Sequence, residues 1–305
     1  GNYNVCVGDE AGTAISTGDD NTFVGYAAGD ALDEGKGNVA IGKNCLGSDT
    51  FGCRNIAIGH AALISQNFTT ETNSFNIGIG YSAGAAITTG THNTFIGGEA
   101  GDATTTASNN TGIGYVALGA NTTGTENVAV GSFALDAATT ANYNTAVGYN
   151  ALTANTTTNE NTAVGAYAGG AITTGARNTI VGAAALDACT TGNDNTAVGR
   201  EALTTATTAS ENTGIGCYSL NLTTTGGHNT AVGHDSLRTN TTGAQNVSVG
   251  HASMELNTTG DYNTAVGDFA LYNNTTADNN TAIGKDALLA NTTGHSNVAI
   301  GNTTL

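Results

Sequence analysis

The chain has 305 residues and a net charge of −17, from 7 Lys+Arg against 24 Asp+Glu. So few basic residues cannot replace the counterions of a nucleic acid, and no apolar run approaches the ~18 residues of a membrane span. Neither a nucleic-acid partner nor membrane insertion by this segment is expected.

From the first residues onward the sequence repeats. The motif is Asn, a β-branched residue, a mostly small residue, Val or Ile, then Gly. It opens at Asn4, Asn21, Asn38 and Asn55. After a four-residue insertion in the 55–75 coil it resumes at Asn76, Asn93, Asn110, Asn127, Asn144, Asn161, Asn178, Asn195, Asn212, Asn229, Asn246, Asn263, Asn280 and Asn297. These are 18 copies at a period of 17 residues. A short fixed period means stacked supersecondary units in place of a globular core. Residues 1–305 are therefore read as a single uncapped array.

With the Asn as position 1, the β-branched residues at 2 and 4 followed by Gly predict a short strand with those side chains inward. Position 3, mostly Ala or Gly, then lies on the opposite face, where a neighbouring chain could pack closely, together with the Ala at position 11. Position 8 is a small residue. Position 9 is Leu or Gly except at Met254, and where it is Gly, position 12 turns aliphatic, as in Gly84/Ile87 and Gly169/Ile172. One large side chain per coil coming from either of two places says that both fill the same cavity. Gly101/Thr104 breaks this rule. Positions 12 to 15 read Asn-Thr-Thr-Gly in four of the later coils, as at Asn121–Gly124 and Asn257–Gly260, a turn in which Gly would supply a positive φ.

Strands, Gly turns and 44 Gly with no Pro predict an all-β fold, a parallel β-solenoid (β-roll) of about 18 rungs. At ~4.8 Å per rung it would be on the order of 80 Å long. The Asn at position 1 is predicted to form an inward ladder of amides bonded from rung to rung. Coils this small leave little room for a core, which points to lateral association.

The pieces Asn127-Val-Ala-Val-Gly131 and Asn297-Val-Ala-Ile-Gly301 resemble the head repeats of YadA-like trimeric autotransporter adhesins. They are also similar to repeats in phage tail fibres and bacterial surface fibres. The resemblance covers the whole array and implies a left-handed parallel β-roll, a homotrimer, and a place on a cell surface or virion appendage. The adhesin repeat is nearer 14 residues, and the anchoring and trimer registration that a neck, stalk and anchor give that family are not carried over to this array. The expected partners are therefore further copies of the chain, as a homotrimer or a head-to-tail filament, and host-surface glycans or proteins.

No catalytic constellation, cofactor motif or metal-ligand spacing stands out, so a non-enzymatic extracellular structural or adhesive fibre segment is expected, without cofactor or resident metal. The rival is an ice- or glycan-binding solenoid using the Thr-Thr pairs at positions 13 and 14, such as Thr122, Thr139 and Thr156, or the Tyr residues Tyr149, Tyr167 and Tyr218. Sequons on the turn at Asn121, Asn155, Asn240, Asn257, Asn274 and Asn291 are candidate glycosylation sites if they face outward. His60, His234 and His251 share position 6, a solvated column or a surface metal site. Asp19, Asp20, Asn193 and Asp194 lack a calcium-loop pattern. The five cysteines are read as small hydrophobes, with a Cys45–Cys53 bridge as the alternative.

Overall fold

The computed structural model describes residues 1–305, which form an all-β parallel solenoid with a 17-residue coil. Two compact units are present, residues 1–149 with 154–157, and residues 150–153 with 158–305. In the first, nine three-residue strands run from Val5–Val7 to Thr145–Val147, and each residue pairs with its counterpart 17 positions on, as in Val5↔Thr22 and Val128↔Thr145. In the second, nine strands from Thr162–Val164 to Val298–Ile300 repeat that register, as in Thr179↔Thr196. At the insertion the step lengthens to Ile56↔Ile77, and the added residues make a two-residue strand, Thr72–Asn73, that pairs with Gly52–Cys53. The strands remain in register because the extra chain is spent on this side pairing.

The strand face is the reverse of the sequence expectation. Position 3 is buried within the coil, with Phe23, Ala40, Phe95 and Ile180 all at 0 % exposure. The Val and Ile at position 4 and the β-branched residues at position 2 point outward. Alternation along a strand is the cause, since positions 1 and 3 must share a face and the Asn at position 1 is buried. Position 3 is small because the interior is narrow: a Cβ on Gly78 would come within 2.9 Å of Leu63 Cγ. The position 3 face is thus unavailable to a neighbouring chain.

The exchange between positions 9 and 12 is visible as packing. A Cβ on Gly84 would stand 3.1 Å from Ile87 Cδ1, and one on Gly169 would stand 3.0 Å from Ile172 Cδ1. The aliphatic residue at 12 occupies the space that Leu at 9 fills elsewhere. The exceptional Gly101 is covered by the Phe95 ring at position 3 of its own coil, and Thr104 at position 12 is buried with its hydroxyl unpartnered.

The turns also differ from expectation. Gly at position 15, such as Gly124 and Gly260, is not at positive φ; its small size is what matters, because a Cβ on Gly260 would meet Asn257 Oδ1 at 2.5 Å. Left-handed backbone falls instead at positions 7, 9 and 17, for example Phe133 (φ 56), Leu135 (φ 52) and Tyr143 (φ 59). At position 5, Gly25 has φ +137, and a Cβ there would lie 2.5 Å from the Gly42 carbonyl oxygen. Only Gly satisfies both demands.

Candidate functional site

Polar columns bind one coil to the next. In the first column Asn195 Oδ1 accepts from the Asn212 backbone N–H (3.1 Å) and Nδ2 (3.4 Å), while Asn195 Nδ2 donates to Asn178 Oδ1 (3.1 Å) and the Ala209 carbonyl (2.9 Å). The same pattern recurs within each unit, as at Asn38 on Asn21 and Asn263 on Asn246. Donation runs to the preceding coil, and the fourth bond closes the Asn's own coil at position 15. At the insertion the relay changes: Ser74 Oγ donates to Asn55 Oδ1 (2.8 Å), and Asn76 Nδ2 turns to Gln66 Oε1 (2.8 Å).

The sequon asparagines of the turn face inward, which corrects their outward placement, and those from Asn240 to Asn291 form a second internal column. Asn121, Asn155, Asn240, Asn257 and Asn274 are buried, and Asn291 is half-buried. Asn257 Nδ2 bonds Asn240 Oδ1 (3.0 Å), Asn274 Nδ2 bonds Asn257 Oδ1 (2.9 Å), and Asn291 Nδ2 bonds Asn274 Oδ1 (3.1 Å). Asn121 Oδ1 accepts from the Gly124 N–H at 3.0 Å. The five buried amides are not presented for glycan transfer. The Thr array is likewise consumed at position 13, where Thr122 Oγ1 donates to the Thr139 carbonyl (3.0 Å) and Thr139 Oγ1 to that of Thr156 (3.2 Å).

What remains outward and regular is the sheet face made by positions 2 and 4. Ile113, Val164, Val181, Ile215, Val266 and Ile283 are each between 36 % and 40 % exposed, and no charged residue occurs at either position in any of the 18 copies. In the second unit Thr179, Thr196, Thr213 and Thr230 stand in register, each two residues before a Val or Ile. The signal for this face was in the sequence, since an inward Asn at position 1 already commits position 3 inward and positions 2 and 4 outward. No family model, no curated protein and no solved structure matches this chain. The face therefore has to be interpreted from its own chemistry.

The variable columns carry local groupings. Tyr149 and Tyr167 are exposed, whereas Tyr218 is half-buried between Arg200 (4.6 Å from guanidinium to ring centroid) and Arg238 (5.3 Å). His60 stacks on Tyr81 at 5.5 Å, and His234 stacks on His251 at 5.7 Å. Asp19 accepts from the Asn2 N–H (2.5 Å), Asn193 from the Ala176 N–H (2.8 Å), and Asp194 pairs with Arg177 (2.7 Å). Those side chains serve as links between coils, and Asp20 takes a left-handed position 17 (φ 60).

All five cysteines are free, so Cys45 and Cys53 do not form a bridge. Burial pushes the Cys45 thiol up to about 11, which makes it an unreactive core side chain. Asp49 was not singled out from the sequence. It is fully buried and accepts from Gln66 Nε2 (2.6 Å) and from the Gly52 and Phe68 N–H groups (3.0 and 3.2 Å). Burial still raises its carboxyl above the ordinary value of 3.8. No helix is long and apolar enough to cross a membrane.

Proposed function

We propose that this chain is a non-enzymatic extracellular fibre segment, structural or adhesive, whose copies associate laterally as a homotrimer through the outward face of positions 2 and 4. The observation that carries the reading is the contrast between that face and the rest of the surface. The chain is strongly acidic, so like copies repel, yet one strip in each unit is β-branched and free of charge. Contiguous exposed apolar strips of this kind mark interaction surfaces. A second copy of the same strip matches it in both chemistry and repeat distance. The resemblance to adhesin and tail-fibre repeats supports the same arrangement and the same location, on a cell surface or virion.

Light scattering on the purified chain, with electron microscopy of the same sample, tests this. The expected mass is three times 30.1 kDa, falling to that of one chain in the double variant Val181→Lys/Ile215→Lys with an unchanged circular dichroism spectrum. A monomeric wild-type chain, or a charged variant that keeps the full mass, would refute lateral association by this face. Long end-to-end filaments that survive the substitutions would move the assembly surface elsewhere.

A second reading is favoured by the same strip. Thr at position 2 and Val or Ile at position 4, repeated at ~4.8 Å, make a flat, regular array suited to ordering water, which the Thr-Thr turn columns do not offer. Thermal hysteresis that disappears in the same Lys variant would support ice binding over self-association. Its absence in the wild-type chain would eliminate that reading.

A further inference from the structure

We propose that His234, Asp235 and His251 form a binding site for a divalent transition-metal ion of the Zn²⁺ class, with Asp268 as a positioning residue. The two histidines occupy position 6 of successive coils, their ring centroids 5.7 Å apart and their planes inclined by 27°. One ligand atom from each of His234, Asp235 and His251 lies within 4.8 Å of the other two. Ligands sharing one tetrahedral ion at ~2.0–2.1 Å stand about 3.4 Å apart. Asp235 is largely buried, so rotation of the two exposed imidazoles, His234 and His251, would have to cover the difference.

Four observations beyond proximity support the site. His251 Nδ1 lies 3.0 Å from Asp268 Oδ1, the arrangement that fixes a histidine tautomer and leaves Nε2 for a metal. The edge-on rings of Tyr218 (6.1 Å from His234) and Phe269 (5.1 Å from His251) bracket the pair and limit its rotamers. Asp235 Oδ2 lies 2.8 Å from His234 Nδ1, while its Oδ1 is buried, accepts no hydrogen bond, and has Arg238 Nε 3.6 Å away. Carboxylates also outnumber the cation they share: Asp235 and Glu255 lie 3.6 and 3.8 Å from Arg238, while Asp268 faces His251. Two imidazoles and a carboxylate suit Zn²⁺, Ni²⁺ or Cu²⁺ over Mg²⁺ or Ca²⁺, and with Asp268 the site would link three successive coils.

Isothermal titration of Zn²⁺ into the untagged, EDTA-treated full chain tests the site, with Mg²⁺ as the comparison ion. One equivalent of Zn²⁺ per chain is expected, with at least about tenfold weaker binding in His234→Gln and in His251→Gln. Both side chains are about half exposed, so the variants should keep the wild-type circular dichroism spectrum. Asp268→Asn should weaken Zn²⁺ binding about tenfold, and Asp268→Glu should restore it. Absence of saturable Zn²⁺ binding, binding that survives either His substitution, or equal binding of Mg²⁺ overturns the proposal. An unaffected Asp268→Asn overturns the positioning role.

Discussion

Asn195 tests whether the inner amide column holds the coils together through its hydrogen bonds or merely through its volume. Asn195→Ala deprives the Asn212 N–H of its acceptor and the Ala209 carbonyl of its donor, both in a buried column. At ~1–3 kcal/mol for each orphaned group, the loss should be about 4 kcal/mol. Asn195→Asp keeps the shape but sets a carboxylate oxygen against Asn178 Oδ1 and the Ala209 carbonyl, where Nδ2 now donates. At neutral pH it should cost more than the Ala variant, because a buried charge is added whose second oxygen faces only acceptors. Burial and acceptor neighbours raise the folded-state pKa of the introduced carboxyl. Its penalty is therefore complete above that folded value and fades as the pH falls towards the unfolded value of about 3.9. Urea unfolding of both variants between pH 8 and 4 should show Asn195→Asp gaining on Asn195→Ala as acid is added, while effects common to the chain cancel. Asn297→Ala, at a half-buried position whose amide donates to Asn280 Oδ1 at 3.1 Å, should cost no more than about 1.5 kcal/mol. A column acting by volume alone would leave Asn195→Asp within about 0.5 kcal/mol of the wild-type chain. That result, or a pH-independent gap between the two variants, would refute the reasoning.

Phe95→Ala should cost about 3–5 kcal/mol, because the ring fills the space over Gly101. Adding Gly101→Leu rebuilds the ordinary pairing of Ala at 3 with Leu at 9 and should recover at least half; a double variant no more stable than the single one would contradict the shared cavity. Asp49 tests the insertion by pH. Its folded-state pKa is raised, so its charge costs stability above that value, and the cost disappears as the pH falls below 3.8. The melting temperature of the wild-type chain should thus rise relative to Asp49→Asn on acidification, and a constant difference would refute the assignment.

The period, the strand positions and the inward Asn were legible because each repeats at every coil, and repetition removes the ambiguity of a short apolar run. The exchange of Leu at 9 for an aliphatic residue at 12 also identified a real cavity. The polarity of the strand was misjudged because Val and Ile were assumed to seek the interior. In a coil this narrow, Asn at 1, Ala at 3 and 8 and Leu at 9 already fill it. The turn failed for a related reason. Asn-Thr-Thr-Gly has the composition of an exposed loop, yet its Asn bonds along the stack and its first Thr donates to the following coil. Sequence shows which groups could form a turn, but not that the neighbouring coil offers them better partners. The His234–His251 stack was placed correctly by column arithmetic, whereas Asp49 depends on the inserted residues around Phe68 folding back over it, for which no repeat exists.

These assignments narrow where a partner can bind. Positions 1 and 13, with Asn240, Asn257, Asn274 and Asn291 at position 12, spend polar atoms between coils, and positions 3, 8 and 9 make the core. The surface left over is of two kinds. Positions 6, 7 and 17 change character at nearly every coil, from Tyr and His to Asp, Ala and Lys, so they can hold a local site but not a repeated one. Positions 2 and 4 hold only Thr, Val and Ile throughout. A partner that reads the chain coil after coil must itself be periodic at the rung spacing, as an ordered water lattice or another copy of the same strand stack is. Of these, another copy also covers the exposed Val and Ile, and apolar burial of that kind at ~25 cal/mol per Å² grows with every coil added to the contact.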